Sequence, residues 1–335
     1  MRQTPDLLSS RPARRGNRAS EVHELAMDVL TDVLDSLGLH GRLFCRSVLS
    51  APWCLALPAG EPAHFHVIER GGAWLHLDGH TAPLALGAGD LVVLPHGRGH
   101  RLSDSPGRPP IPIAQLLQGK GSGRCTLLRH GGGGAETSMI CGSFAFRQRQ
   151  GHPLLSLLPP VIHVGGEAGH APEWLDATLR VLAAESRSTS PGRETIVARL
   201  IDILFVQVLR VWLADQPSDG SGWLGALKDP RISAALAAMH EQPEHPWTVS
   251  ELAAQARWSR SPFAARFTAL VGEPPLAYLT RWRMQVAAGL LQRETLSIGE
   301  VASRVGYESE PAFNKAFKRA TGITPGSFRR QKSAA

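Results

Sequence analysis

Hydrophobic and polar positions change period twice along the chain. Leu25, Val29, Leu30, Val33, Leu34 and Leu37 recur near helical spacing, which predicts a helix over Val22–Leu37, closed by Gly38 and Gly41. From Arg42 to about Phe146 the apolar runs shorten: LFCRSVLS, WCLALP, HFHVIER, AWLHLDG, APLALGAG, DLVVLP, CTLLRHG and MICGSFAF alternate with Gly, Pro and His turns. Many short strands at even spacing predict a sandwich or a barrel. After Gln150 the helical period returns, with helices expected over Pro172–Ala184 and Pro191–Leu213. The second is apolar around most of its circumference, interrupted by a stripe of Arg199, Asp202 and Arg210. That breadth suits packing on the barrel or on a second copy of the chain, and the pattern favours neither. ADQPSDGSG, from Ala214 to Gly222, reads as a linker.

Beyond the linker the pattern repeats after about fifty residues. TVSELAAQARWSRSPFAARFTALVGEPP is followed by SIGEVASRVGYESEPAFNKAFKRATGITP. Each copy opens on a capping box, Thr248 with Glu251 and Ser297 with Glu300. A short apolar helix, a turn, an N-cap serine (Ser259, Ser309) and a proline in the first turn follow. The second helix of each copy carries phenylalanines at i and i+4, Phe263 with Phe267 and Phe313 with Phe317, then stops at Gly272 or Gly322. This is helix–turn–helix grammar written twice. In each unit the second helix has one buried and one exposed face. The exposed side includes Arg260, Ser261, Ala264 and Ala265 in the first copy, and Glu310, Pro311, Asn314 and Lys315 in the second. PLAYLTRWRMQVAAGLLQRE, Pro275–Glu294, is a long helix between them, and Asp229–His240 supplies a helix ahead.

Charge sharpens this picture. The net charge is +7, and residues 225–335 hold 15 Lys+Arg against 9 Asp+Glu, while residues 1–20 hold five arginines and one aspartate. Positive charge therefore gathers where a double helix would be gripped, and the rest of the chain is slightly acidic. The most apolar stretch, IVARLIDILFVQVLRVWL, is broken by Arg199, Asp202 and Arg210, so no membrane span is expected. The arginine-bearing N-terminus lacks the apolar core of a secretory signal, which points to the cytoplasm.

The C-terminal stretch resembles the DNA-binding domain of the AraC/XylS family of bacterial transcription regulators. The signature is carried by Phe313, Phe317, Lys318, Gly322, Thr324, Pro325, Phe328, Arg329 and Arg330. The resemblance implies promoter DNA and RNA polymerase as partners, and two recognition helices held about one duplex turn apart, roughly 34 Å, in successive major grooves. Arg260, Ser261, Ala264, Glu310, Pro311, Asn314 and Lys315 are the candidate base readers. Arg281, Arg283, Lys318, Arg329 and Arg330 are candidates for phosphate, or for pairing inside the domain. Four positions make three departures from the family pattern. Arg257 stands where the repeat has Gly306, Ala264 and Ala265 replace polar readers, and Lys315 replaces a common arginine.

GDLVVLPHGRGH, Gly89–His100, fits G-x5-P-x-G-x2-H and resembles the second motif of cupin barrels. His64 and His66 supply the H-x-H of the first motif, with Glu69 and Gly79 after it; the spacing to Glu69 is short, and Asp104 replaces a terminal asparagine. The region resembles the cupin-like sensor domain of a subset of AraC-family regulators. The expected fold is α+β in two domains: an N-terminal cupin-like β-barrel (jelly roll) with helical linker, and a C-terminal all-α domain with two helix–turn–helix motifs. The expected boundaries are a disordered basic arm over 1–20, the barrel over 21–150, linker or dimerisation helices over 151–213, a flexible linker over 214–224 and the DNA-binding domain over 225–332.

Three sensing chemistries are compatible with these residues. His64, His66, Glu69 and His100 suit a divalent metal such as Zn, Fe or Mn, or are barrel histidines held by hydrogen bonds; simple alternation places Glu69 on the opposite face from His64 and His66. Cys45, Cys54, Cys125 and Cys141 are too few for a disulfide scaffold. They suit redox sensing, by a Cys45–Cys54 disulfide across a turn or by a Cys125 thiol near Arg124 and Arg129, or are buried small hydrophobes. A small-molecule effector is the third. The expectation is a homodimeric transcription regulator that is no enzyme. The alternative is a metal-dependent cupin enzyme fused to a DNA-binding domain.

Overall fold

The computed structural model describes residues 29–35, 37–60, 62–118, 126–146, 153–166, 172–216, 223–293 and 296–333. The expected arm over 1–20, most of the flexible linker and Cys125 lie outside the described residues. Residues 29–35 form a helix, α1. The chain divides into two compact units: Val33–Pro217, and Ser218–Ala335 together with the N-terminal residues to Asp32.

The first unit is two sheets. Its strands are β1 (Leu39–Ser50), β2 (Cys54–Leu57), β3 (Ala63–Arg70), β4 (Gly72–Leu77), β5 (Leu84–Gly87), β6 (Leu91–Leu94), β7 (His100–Ser103), β8 (Ile111–Pro112), β9 (Thr126–Gly131), β10 (Glu136–Phe146) and β11 (Ile162–Val164). Short helices α2 (Ile113–Leu117) and α3 (Pro153–Leu157) interrupt them. One sheet runs β11-β6-β3-β10-β1-β9, the other β5-β4-β7-β2-β8. Leu49, Ile68, Val92, Leu128 and Met139 of the first sheet meet Leu55, Leu75, Leu86 and Leu102 of the second in one core. This is the two-layer solution expected of short alternating strands. Strand β11 falls within 151–213, the span expected to hold linker or dimerisation helices; Ile162 and Val164 bury against β6 while His163 stays outside.

Helices α4 (Glu173–Arg187) and α5 (Arg193–Ala214) follow. The choice left open for α5 resolves within the unit for its most apolar stripe. Ile201, Leu204, Phe205, Val208 and Leu209 are buried, and Phe205 lies 4.9 Å from Phe144 and 5.4 Å from Phe146, ring to ring. Gly41 lets β1 approach: a Cβ there would stand 2.4 Å from Ile201, and its N–H donates to Asp202 at 2.7 Å.

The second unit is helical: α6 (Trp223–Lys228), α7 (Pro230–Glu241), α8 (Val249–Gln255), α9 (Arg260–Val271), α10 (Pro275–Arg293), α11 (Ile298–Arg304), α12 (Glu310–Thr321) and α13 (Pro325–Ser333). Helix α10 belongs to both halves. Near its start Tyr278 packs edge-on to Phe267, with ring centroids 5.8 Å apart. Farther along, Met284, Ala287, Ala288 and Leu291 share a core with Val301, Phe313 and Phe317. Each buried phenylalanine contributes about 1.5–3 kcal/mol, so one rod is fixed to both helix–turn–helix units.

Candidate functional site

The exposed faces of α9 and α12 are positioned by local chemistry. Both capping boxes close. The Glu251 N–H donates to Thr248 Oγ1 at 3.2 Å and the Thr248 N–H to the Glu251 carboxylate at 2.8 Å; Glu300 and Ser297 do the same at 3.1 and 2.7 Å. These donors hold both glutamates below the usual carboxylate range. Ser309 caps α12 through the Ala312 N–H, whereas Ser259 sits at the N-cap of α9 without a side-chain cap bond. Gly272 and Gly322 end the two helices in the left-handed conformation. The turn between α11 and α12 is one residue longer than its counterpart, which lacks an equivalent of Glu308. Arg257 has φ 53° where Gly306 has φ 77°, so the arginine does adopt the left-handed turn.

With Phe263, Phe267, Phe313 and Phe317 fully buried, the opposite faces look outward. Arg260, Ser261 and Ala265 are exposed on α9, as are Glu310, Pro311 and Lys315 on α12; Ala264 and Asn314 are half-buried. The candidate phosphate cations divide into two groups. Arg281 binds Glu273 at 2.5 Å and lies over the Tyr278 ring. Arg283 donates to the carbonyls of Pro243 and His245 at 2.6 and 2.8 Å, and Arg329 to that of Leu296 at 2.6 Å. These three brace the domain. Lys318 and Arg330 are exposed, and Arg330 donates to the Ser327 hydroxyl at 3.1 Å.

In the barrel, His64 and His66 on β3 and His100 on β7 converge from the two sheets. One potential ligand atom from each lies within 4.8 Å of the others, and all three are buried. Desolvation lowers all three pKa values, His64 to about 4, with the neighbouring imidazoles adding to the effect on His64 and His66. They are neutral at pH 7 and carry lone pairs.

Partners fix the tautomers of two of them. His100 Nδ1 lies 3.0 Å from the Arg98 carbonyl and must donate, so its Nε2 accepts. His66 Nε2, 2.8 Å away, is then the donor. His66 Nδ1 is left with a lone pair, which accepts the Cys141 S–H at 3.1 Å. His64 Nδ1 is buried with no hydrogen-bond partner. Three neutral imidazoles with one orphaned nitrogen fit a divalent metal.

Glu69 does not join this cluster. Strand alternation turns it to the other face of β3, where it binds Arg46 at 2.8 Å and the Ser138 hydroxyl at 2.7 Å. The neighbouring-strand arrangement expected to bring Cys45 to Cys54 does not form. The two residues belong to different sheets, because β1 pairs with β9 and β10 while β2 pairs with β7 and β8. Opposite Cys45 stands Cys141. Contact with Cys45, then burial, pushes the Cys141 thiol up, and burial raises Cys54.

A family profile described as Cupin matches residues 28–214, and a second, described as Helix-turn-helix domain, matches residues 252–331. A putative AraC-like transcription regulator of Streptomyces lividans is 36% identical over 304 residues, covering 91% of this chain and 98% of that one. The chain belongs to the AraC family of transcription regulators, with a cupin domain. The HTH-type transcriptional regulator AlkR of Acinetobacter baylyi is 35% identical to this AraC-family chain over 310 residues, covering 91% of it and all of AlkR. Among solved structures, the DNA-binding domain of AdpA in complex with a target DNA is 35% identical, covers 32% of this chain and 95% of that one, and has a TM-score of 0.30.

The AraC-family protein is thus a DNA-binding regulator, and the enzyme alternative finds no support among its relatives. No described helix is long and apolar enough to cross a membrane. Two features escaped the sequence. His240 lies buried against Trp282, rings stacked at 3.7 Å, and bonds the Tyr278 hydroxyl at 2.7 Å; the Tyr278/Trp282 pair at i, i+4 was the available signal. The Cys141–His66 contact had none, because it depends on the register of β10.

Proposed function

We propose that α9 and α12 enter successive major grooves of promoter DNA in the cytoplasm and that the cupin domain governs how the bound regulator engages RNA polymerase. The single observation behind this reading is the pair of second helices, α9 and α12, whose phenylalanines are buried while their first turns are exposed. Arg260, Ser261, Asn314 and Lys315 hydrogen-bond base edges, and Glu310 accepts from cytosine. Pro311 shapes the approach of α12, and Ala264 and Ala265 meet thymine methyls, so the first half-site is read through shape and methyl contacts. Lys318 and Arg330 hold phosphate.

The barrel is the sensor, with the effector a small molecule, a metal or an oxidant. His64, His66 and His100 would hold a divalent ion, which would tie the two sheets together at one point. A homodimer places two such readers on one promoter.

Alanine substitution with salt titration tests the assignment. Lys315→Ala is expected to relax preference at one base pair by about 1–3 kcal/mol, leaving the salt slope nearly unchanged. Lys318→Ala and Arg330→Ala weaken all sequences alike and lower the slope by about one unit. A Lys315→Ala protein with unaltered sequence preference contradicts the reading.

A further inference from the structure

The register of the larger sheet sets three chemically active side chains in one row. Cys45 on β1 faces Cys141 on β10, and Cys141 faces His66 on β3. The slip between Leu43 and Cys45 makes this row possible: Phe44 is the irregular residue, left 41% exposed, and Cys45 turns inward to 4%. Directly opposed residues of an antiparallel pair have Cα atoms about 4.5–5.5 Å apart. That lies inside the range a disulfide spans. Both side chains turn into the same buried core.

The row continues into the histidines as a chain with one proton per link. Cys141 S–H donates to His66 Nδ1, His66 Nε2–H to His100 Nε2, and His100 Nδ1–H to the Arg98 carbonyl. Every ring nitrogen of His66 and His100 has a hydrogen-bond partner within the protein. We propose that Cys45 and Cys141 are a dithiol–disulfide pair whose oxidation converts the His64/His66/His100 cluster from a closed hydrogen-bond chain into a metal-binding site. This rests on reading the barrel as a sensor, and names the coupling between two of its chemistries.

The redox step uses a peroxide. One thiol is oxidised to a sulfenic acid as the peroxide O–O bond breaks and water leaves, for hydrogen peroxide as oxidant. The other thiol attacks the sulfenic sulfur, forming the S–S bond and releasing a second water. Two thiols and one hydrogen peroxide give one disulfide and two waters, and each cysteine has lost its S–H.

The chain is then one proton short. If His66 keeps its proton on Nε2, its Nδ1 lone pair faces a sulfur that no longer donates. If the proton moves to Nδ1, two Nε2 lone pairs face each other at 2.8 Å across His66 and His100. Either arrangement leaves a buried polar atom unpaired, which is costly. A divalent transition metal between those lone pairs removes the deficit, and His64, whose Nδ1 has no partner, completes three ligands. In the reduced protein the same metal has to displace a proton that is already well placed.

The test uses the full chain carrying Cys54→Ser and Cys125→Ser, so that only Cys45 and Cys141 remain. Protein is reduced, or treated with hydrogen peroxide until its free-thiol count stops falling, then freed of reagent. Peptide mapping reads the link, and titration with Co(II), followed by its visible bands and by Zn(II) competition, reads the affinity.

The expected result is a Cys45–Cys141 link and metal binding at least about tenfold tighter than in reduced protein, the worth of one buried hydrogen bond. Adding Cys45→Ser, or Cys45→Ala should the serine variant misfold, abolishes the link and holds affinity at the reduced value with or without peroxide. Linked protein whose metal affinity is unchanged or weaker overturns the proposal, as does thiol oxidation without the link. Band shifts on promoter DNA with the same samples keep the outcomes separate. Loss of DNA binding by the reduced protein would count against the regulator reading, and metal affinity that ignores the disulfide counts against the coupling alone.

Discussion

Arg257 holds the first helix–turn–helix turn at φ 53°, a conformation that costs a non-glycine residue about 1–2 kcal/mol. Its counterpart Gly306 is open to no such substitution: an added Cβ would stand 2.6 Å from the Glu244 carbonyl and 2.7 Å from Arg283. Arg257→Gly is therefore expected to stabilise the domain by about 0.5–1 kcal/mol, the relief of strain less the added freedom of the unfolded chain. Gly306→Ala should destabilise it by at least about 1 kcal/mol. Urea unfolding midpoints of the two variants check both signs. The strain at Arg257 was legible in the sequence because the repeat supplied its own control at Gly306. The fates of Arg281, Arg283 and Arg329 were not, because their partners, Glu273 and three backbone carbonyls, come from loops whose paths no periodicity records.

At the scale of elements, the capping boxes fix where α8 and α11, the first helices of the two helix–turn–helix units, begin. Thr248→Ala or Ser297→Ala should each cost about 1 kcal/mol of domain stability, as lost N-caps do. The capping glutamates also set a pH dependence. Their folded pKa values lie below 4.5, so the stabilisation is present above that pH and is lost as pH falls through the folded values. Unfolding midpoints of the wild type should therefore fall more between pH 7 and pH 3 than those of a Glu251→Gln, Glu300→Gln variant, whose amides do not titrate there. An equal fall would show that the boxes do not carry the effect. Elements with a strong period were readable: α8, α9, α11, α12 and most strands from β1 to β10 follow from apolar spacing and turn residues. The short β11 was not, since Ile162 and Val164 sit in an apolar run that helix and strand share. Neither was the partner of Cys45. A hairpin between adjacent runs is the simplest guess from sequence, yet β1 spends both its edges on β9 and β10.

For the whole molecule, two units with different periods carry two tasks. The double helix–turn–helix and the cupin motif announced both from sequence, since each depends on residues close together in the chain. What lies inside the barrel depended on cross-strand register, so Glu69 was grouped with histidines it does not meet and Cys141 was not paired with His66. The central claim is that α9 and α12 read adjacent major grooves of one duplex. Selection of bound fragments from a random DNA pool by the full-length protein tests it most directly. The account predicts enrichment of a bipartite site whose two short halves lie about 10–10.5 base pairs apart, centre to centre. Recovery of no sequence above the random background, or of two halves whose spacing varies freely, would contradict it.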